Sequence, residues 1–245
     1  MKAMIFAAGV GSRLKEETTD KPKALVEIGG KPLLQIAIEK LKKEGIQEVV
    51  VNVHHFAEKI ISFLKENDFG IPVHISDEKE KLLDTGGGLK KAAPFFNTTE
   101  PIIIYNVDIL SSLNLKKLVE EHKESGALAT LVVRKRNTKR YLKFDSDKNL
   151  VGWVNKKTGE TKIARHEKFE NAMEMAFSGI HIVQPEIFQK MPGEDRFSII
   201  DLYLELAKSQ VIKGYFDESD LWMDVGKPEE LAIARKKFEV NNRNY

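Results

Sequence analysis

Short apolar runs alternate with amphipathic helical patterns along the first half of the chain, and this alternation constrains the fold more than any other feature. The runs scarcely alternate in polarity, which predicts strands buried on both faces of a sheet. Regular alternation of strands and helices predicts right-handed βαβ units and a mostly parallel sheet flanked by helices, which is an α/β fold. The predicted strands are residues 3–8, 48–53, 72–76, 101–106 and 127–133, and the predicted helices are residues 32–45, 57–67 and 115–125.

The pattern changes after about residue 134. Residues 134–154 contain two short alternating strands around a polar turn, which predicts an antiparallel hairpin. Because no linker is long enough to separate two domains, we expect one domain over 1–245, with 1–134 as its main part and 135–245 as a smaller, antiparallel elaboration. The further predicted elements are strands at 173–183 and 211–216, helices at 185–189 and 198–208, and a C-terminal helix from Pro228.

Composition excludes several classes of protein. Lys and Arg number 39 against 37 Asp and Glu, so charge gives no argument for a nucleic-acid or anionic-membrane partner. The chain has no cysteine, so any metal must have oxygen or histidine ligands. No apolar segment approaches the roughly 20 residues that span a bilayer, and none resembles a signal peptide. We therefore expect a cytoplasmic protein.

The stretch Met4–Leu14 reads as a buried strand that runs into Gly9-Val10-Gly11-Ser12-Arg13. Glycines allow backbone N–H groups to close around phosphate oxygens, and an arginine adds a fork of donors suited to polyphosphate. A dinucleotide fingerprint would need glycine or alanine in place of Leu14, and the Walker A spacing is absent. The alternative, for these residues alone, is a tight turn with a surface arginine.

The next segment adds Lys23 in Pro-Lys-Ala-Leu and then Gly-Lys-Pro. Together, "AAGVGSRL" and "KPKALVEIGGKPLL" resemble the N-terminal signature of the sugar-1-phosphate nucleotidylyltransferases. The resemblance implies a Rossmann-like nucleotide-diphospho-sugar transferase fold, with 1–134 binding nucleotide and 135–245 binding sugar phosphate. The family often has Pro-Leu-Thr after the arginine, whereas this chain has "KEETTDKP". We expect that segment to contact ligand differently or not at all.

The resemblance also assigns nucleotide contacts. Arg13 and Lys23 are implied to be catalytic, neutralising phosphate charge. The segment 82–92, "LLDTGGGLKKA", is similar to the family segment whose backbone faces the base, although a glycine-rich helix entry is the alternative. Asp84 replaces a glycine found in several members. The residues implied to bind nucleotide are Ala8, Gly9, Gly11, Ser12, Arg13, Thr85, Gly86 and Gly87.

Two aspartates are implied to hold Mg²⁺. Asp108 lies just beyond the predicted buried strand 101–106, where ligands of open α/β sheets collect, although an isolated Asp there is usually a turn or cap residue. Asp224 precedes Val-Gly-Lys-Pro, which is similar to a C-terminal element of the family. Magnesium is commonly held by one or two carboxylates together with substrate phosphates.

Sugar-phosphate contacts are implied for polar residues before and within the strand at 173–183, although each could equally be surface or strand-edge polarity. The family's Glu-Lys-Pro motif has only Asn155-Lys156-Lys157 as its nearest match. The implied residues are Lys156, Asn171, Glu174 and Ser178. For His54 and His55 we favour a structural role, because adjacent residues at a strand exit point in opposite directions and cannot easily share one metal ion. A place for one of them at the rim of the active site stays open.

The function that the resemblance implies is transfer of a nucleotidyl group from a nucleoside triphosphate to a sugar 1-phosphate, for cell-wall or polysaccharide precursors. UTP is favoured and GTP is next; the oligomeric state stays open, a homodimer included. Two alternatives remain. A nucleotide-sugar-dependent glycosyltransferase would typically show Asp-x-Asp, which Asn106-Val107-Asp108 only half matches. A non-catalytic regulatory relative would tend to lose one of the four key charged residues, all of which this chain keeps.

Overall fold

The computed structural model describes residues 1–242, with all their side chains except those of Lys15 and residues 239–242. The strands are β1 (Lys2–Phe6), β2 (Glu27–Ile28), β3 (Lys31–Pro32), β4 (Glu48–Val53), β5 (Val73–Asp77), β6 (Ile102–Asn106), β7 (Ile109–Ser111), β8 (Ala129–Arg134), β9 (Arg140–Phe144), β10 (Leu150–Asn155), β11 (Thr161–Ile163), β12 (Met173–Val183), β13 (Ile212–Phe216) and β14 (Trp222–Asp224). The α-helices are α1 (Leu33–Lys43), α2 (Ala57–Glu66), α3 (Asp84–Ala92), α4 (Leu115–Ser125), α5 (His166–Phe169), α6 (Ile199–Leu206) and α7 (Pro228–Asn242). Four segments are 3₁₀ helices: Ser12–Thr18, Lys23–Leu25, Ala93–Phe95 and Pro185–Lys190.

The elements predicted from hydrophobic pattern are confirmed, except that the predicted helix at 185–189 is a 3₁₀ helix, and the α/β class is confirmed as well. The antiparallel hairpin is β9–β10, with Trp153 opposite Leu142. The strands that the pattern missed are β2, β3, β7, β11 and β14, which have two or three residues each and are too short to show a period. Among the helices of residues 1–242, none is long and apolar enough to cross a lipid bilayer.

Contacts divide the chain into two units, and the division differs from the expected boundary at residue 134. Among the described residues, unit 1 consists of residues 1–82, 105–113 and 219–242, and unit 2 of 83–104 and 114–218. The chain therefore passes from one unit to the other more than once. The expected boundary at residue 134 rests on a single change in the strand and helix pattern, and it stays a prediction.

Unit 1 has a parallel sheet in which β4 lies between β1 and β5. Met4 pairs with Val50, and Val50 pairs with His74. The central residues of β1 are fully buried, as expected for a strand covered on both faces. Helix α2 packs against β4 and β5. The carboxyl ends of the three strands lie along one edge, and the glycine-rich loop follows β1 there.

Unit 2 is a mixed sheet built around β8 and β12. Strand β8 runs antiparallel to β12 and parallel to β13. The long strand β12 pairs with β9 over Met173–Met175 and with β8 from Ala176 onward, and its register with β8 shifts between Phe177 and His181. Strands β9, β10 and β11 form an antiparallel meander, in agreement with the predicted antiparallel elaboration.

Helix α3 is held against the segment before α6 by very close backbone approach. The N–H of Gly86 donates to the carbonyl of Phe197 at 2.9 Å, and Thr85 Oγ1 accepts from the N–H of Ile199 at 3.0 Å. A β-carbon on Gly87 would lie 2.0 Å from the carbonyl oxygen of Asp195. Packing within unit 2 is thus a sufficient reason for glycine at 86 and 87.

We expect Gly87→Ala to lower the free energy of unfolding by about 1–3 kcal/mol, because the new methyl overlaps backbone that cannot rotate away. This cost outweighs the gain of up to about 1 kcal/mol that alanine brings to a helix interior. Gly193→Ala is the matched control, since a β-carbon there has no atom within 4 Å. Urea denaturation of both variants measures the difference; equal stability of the two would contradict the packing explanation.

Candidate active site

The glycine-rich loop follows β1 and is shaped by Gly11. This residue has φ 71°, in the left-handed region that favours glycine. A β-carbon on it would lie 3.0 Å from Lys23 Cβ and 3.1 Å from Thr18 Cγ2. Gly9, by contrast, has open space around the position of a β-carbon, so its backbone is accessible. The loop is therefore packed against the Lys23 segment and open at Gly9.

Buried polar groups anchor the start of this loop. Asn52 Oδ1 accepts from the N–H of Ala7 at 2.8 Å, and Asn52 Nδ2 donates to Glu78 Oε1 at 2.6 Å. Asn52 and Glu78 are both buried. The sequence interpretation missed this pair, although a polar Asn inside the apolar run 48–53 was an available signal. The network fixes where β1 ends and the loop begins.

The adjacent histidines have separate environments. His54 Nδ1 lies 2.8 Å from the carbonyl oxygen of Glu78, and the ring of His55 packs against that of Phe56 with centroids 4.3 Å apart. These contacts agree with the structural role favoured for both residues.

Lys23, Arg13, Asp108 and Asp224 form one charged cluster in unit 1. Lys23 Nζ donates to Asp108 Oδ2 at 2.6 Å. Arg13 lies between the two aspartates, with Nη2 3.9 Å from Asp108 Oδ2 and Nη1 4.0 Å from Asp224 Oδ2. Asp108 is 8% exposed and Lys23 14%, so this pair is shielded from water, whereas Arg13 is 56% exposed. The four charged residues selected from sequence therefore come together.

Backbone pairing brings the two aspartates to the same place. Strands β7 and β14 are antiparallel, with Asp224 opposite Ile109, and the N–H of Val225 donates to the carbonyl of Asp108 at 2.9 Å. Gly226 leaves room for the cluster. A β-carbon there would lie 2.8 Å from Asp108 Oδ2, 2.9 Å from Asp224 Oδ1 and 2.8 Å from Arg13 Nη2. Gly226 belongs to the Val-Gly-Lys-Pro motif that follows Asp224, yet the sequence interpretation gave it no role.

Tyr105 supports the turn that carries Asp108. Its hydroxyl donates to the carbonyl of Ile109 at 2.9 Å, across the turn. Burial, with a smaller contribution from the nearby Asp108 carboxylate, raises the pKa of Tyr105. The phenol therefore stays protonated and keeps donating at physiological pH.

The donor set suits a small hard cation. Asp108 and Asp224 bring two carboxylates into one cluster, each within about 4 Å of Arg13, and magnesium prefers oxygen ligands. Within residues 1–242, no group of three or more His, Asp or Glu side chains is arranged to hold a metal by itself. A metal at this cluster would thus need further oxygen ligands, such as phosphate, beyond the two aspartates.

The residues predicted to contact a sugar phosphate belong to unit 2 and differ in their exposure. Lys156 Nζ donates to Glu174 Oε1 at 2.7 Å, in an ion pair that is half exposed. Asn171 is exposed, and Ser178 is fully buried. Their contact with ligand stays a prediction.

A cavity of about 600 Å³ lies in unit 2, formed by β9, β10, β12 and the start of α6. It combines the aromatic rings of Trp153 and Phe177 with charged side chains, and Lys162 pairs with Asp201 at its wall. The four residues predicted for sugar phosphate are not among the described lining residues. The sequence interpretation missed this cavity because its walls come from distant segments. Its lining is Asp84, Arg136, Thr138, Arg140, Leu142, Trp153, Glu160, Lys162, Phe177, Ser198, Ile200 and Asp201.

The chain is similar to known nucleotidyltransferases along nearly its whole length. A model of the nucleotidyl transferase family matches residues 2–240. The N-acetylmuramate alpha-1-phosphate uridylyltransferase of Caulobacter vibrioides is 32% identical over 96% of this chain and 96% of its own length. The D-glycero-alpha-D-manno-heptose 1-phosphate guanylyltransferase of Campylobacter jejuni is 30% identical over 99% of this chain and 100% of its own.

The same similarity extends to solved structures. The crystal structure of HddC from Yersinia pseudotuberculosis complexed with GMP-PN superposes with a TM-score of 0.77 and 26% identity, covering 97% of this chain and 99% of the other. Several curated relatives are longer, and this chain spans 60% to 64% of their length. The expected nucleotide-diphospho-sugar transferase fold is confirmed.

Breaking the buried ion pair should destabilise unit 1. We expect Lys23→Met and Asp108→Asn each to lower the free energy of unfolding by about 3 kcal/mol, because each leaves a shielded charge without its nearest partner. The double variant should cost less than the two added together, since no unpaired charge is left.

Lys123→Ala, which removes an ion pair between half-exposed side chains with Glu100, is the control and should cost at most about 1 kcal/mol. Chemical denaturation gives all four values. Strict additivity of Lys23→Met and Asp108→Asn would contradict the ion pair.

Proposed function

The chain belongs to the nucleotidyl transferase family, and we propose that it transfers a uridylyl group from UTP to a sugar 1-phosphate, releasing pyrophosphate. Nucleotidyl transfer to a sugar 1-phosphate is the activity of its family relatives. The choice of UTP is supported by the Caulobacter vibrioides relative, named a uridylyltransferase. GTP is the second candidate, because the Campylobacter jejuni relative is named a guanylyltransferase.

The charged cluster is the observation that carries this proposal. A phosphate oxygen of the sugar phosphate attacks the α-phosphorus of the nucleotide, in line with the departing pyrophosphate. That oxygen is already ionised near neutral pH, so the reaction needs no general base. What opposes it is repulsion between two anions, and catalysis then consists of alignment and charge neutralisation.

The cationic side chains act on that repulsion. We assign Arg13 and the backbone N–H groups of Gly9 and Gly11 to the triphosphate and the leaving pyrophosphate, together with Ala8 and Ser12 in the same loop. Lys23 neutralises charge around the α-phosphate or the incoming phosphate. Its 14% exposure favours this role, because a charge shielded from water acts more strongly on a neighbouring anion.

Asp108 and Asp224 are the residues that would hold Mg²⁺. When bound, the metal would supply positive charge that stabilises the phosphoryl oxygens and helps to align them. The neighbouring Lys23 and Arg13 partly offset the repulsion between the two carboxylates.

Recognition of the base and the sugar is assigned to unit 2. Thr85, Gly86 and Gly87 stay candidates for the base, although the packing of α3 already accounts for both glycines. We propose that the sugar occupies the cavity of unit 2, whose aromatic and charged walls resemble those of ligand sites. Lys156, Asn171, Glu174 and Ser178 are the alternative sugar-phosphate contacts, and none of them is among the described residues that line this cavity. A cytoplasmic location stays a prediction of the sequence, and the oligomeric state stays open, a homodimer included.

A panel that crosses UTP, GTP, CTP, ATP and dTTP with several sugar 1-phosphates, each with Mg²⁺, tests the proposal. We expect pyrophosphate release to depend on both substrates and to be fastest with UTP. Coupled colorimetric detection of pyrophosphate is the measurement. Faster release with GTP would replace the uridylyl assignment, and sugar transfer from UDP-sugars without pyrophosphate would support a glycosyltransferase.

Two variants test the roles assigned to the charged cluster. Asp108→Asn and Lys23→Ala should each lower turnover by about two orders of magnitude or more, because each removes charge stabilisation. The Lys123→Ala control should retain turnover, since Lys123 pairs with Glu100 in unit 2, outside the charged cluster. Near-normal turnover of Asp108→Asn or Lys23→Ala, with the fold verified by circular dichroism, would contradict the assigned roles.

A further inference from the structure

Arg235 on α7 makes three donor contacts with two other segments of unit 1. Its Nη1 and Nη2 atoms donate to Glu17 Oε1 and Oε2 at 2.5 and 2.9 Å, which is a bidentate pair. Its Nε donates to the carbonyl oxygen of Glu27 at 3.1 Å. One guanidinium group therefore joins α7 to the 3₁₀ helix Ser12–Thr18 and to β2.

Each joined segment carries a member of the charged cluster. The 3₁₀ helix Ser12–Thr18 contains Arg13 as well as Glu17. Strand β2 begins at Glu27, just after the 3₁₀ helix in which Lys23 lies. Helix α7 begins at Pro228, shortly after Asp224. Arg235 thus links the segments that carry Arg13, Lys23 and Asp224, and it does not itself belong to the charged cluster.

The pair is better suited to fixing geometry than to adding stability. The side chains of Arg235 and Glu17 are 36% and 30% exposed, and ion pairs this accessible contribute at most about 1 kcal/mol. A bidentate guanidinium–carboxylate pair, however, fixes distance and orientation together, because both groups are planar. Hydrogen bonding to Arg235 lowers the pKa of Glu17, so the pair is ionised at neutral pH.

Glu17 lies in the segment "KEETTDKP", where this chain departs from the usual family pattern. We propose that Arg235 and Glu17 are positioning residues that hold Arg13 and Lys23 in place for the phosphates of the nucleotide. The inference rests on the proposed function, which assigns those two cations to phosphate. This proposal gives the segment "KEETTDKP" a role in which Glu17 binds the C-terminal helix and not the ligand.

Calorimetric titration of the full chain with inorganic pyrophosphate and Mg²⁺ tests this inference without requiring the correct nucleotide. We expect Arg235→Gln and Glu17→Gln each to raise the pyrophosphate Kd about tenfold, because Arg13 and Lys23 are then less precisely placed. The double variant should be no worse than either single variant, because the two residues act as one unit. Arg235→Lys, which keeps the charge but not the fork, should recover only part of the affinity.

A kinetic readout separates positioning from mere support of the fold. In the pyrophosphate-release assay with UTP, both single variants should raise KM for the nucleotide about tenfold and lower kcat by less than about threefold. The melting temperature should fall by no more than a few degrees. Lys123→Ala, which breaks an unrelated ion pair of unit 2, should leave both Kd and KM unchanged.

Arg13→Ala distinguishes failure of this inference from failure of the proposed function. If Arg13→Ala binds pyrophosphate as tightly as the wild type, the assignment of Arg13 to phosphate is wrong, and the inference falls with it. If Arg13→Ala weakens binding while Arg235→Gln and Glu17→Gln stay within about twofold of wild type, only the positioning role is wrong. Additive losses in the double variant would also contradict it.

Discussion

The negative charges of Asp108 and Asp224 repel each other, and the site depends on how that repulsion is offset. Both carboxylates approach the same point beside Gly226, and Arg13 lies between them at 3.9 and 4.0 Å. Lys23 adds a shielded hydrogen bond to Asp108. Two cations therefore keep two anions near each other. The same cations can bind phosphate groups, and the same carboxylates can bind a divalent ion. Loss of either cation alters this balance.

The fold supplies the proximity that the chemistry needs. A parallel sheet delivers the glycine-rich loop at the carboxyl end of β1, and the short pair β7–β14 brings Asp224 beside the turn that carries Asp108. Gly11 allows the loop to pack against the Lys23 segment. These contacts are backbone pairing and close packing, which hold the backbone of the site in place. The reactive side chains are thus carried by rigid backbone.

Hydrophobic pattern predicted the longer strands and helices, because buried strands and amphipathic helices leave local signals, and the resemblance to the family selected the four charged residues. Neither reached contacts made by distant segments. The packing of Gly87 on Asp195, the pairing of Arg235 with Glu17 and the cavity of unit 2 all join residues that no short pattern connects. The two contact units also join distant segments, since their segments interleave along the chain, and the expected boundary at 134 stays a prediction.

A crystal structure of the chain with Mg²⁺ and an unreactive UTP analogue tests the central claim most directly. The account predicts one metal ion coordinated by both Asp108 and Asp224 and by nucleotide phosphate oxygens, with Arg13 and Lys23 contacting the phosphates. A metal held away from either aspartate, or a triphosphate bound beyond the reach of Arg13 and Lys23, would contradict it.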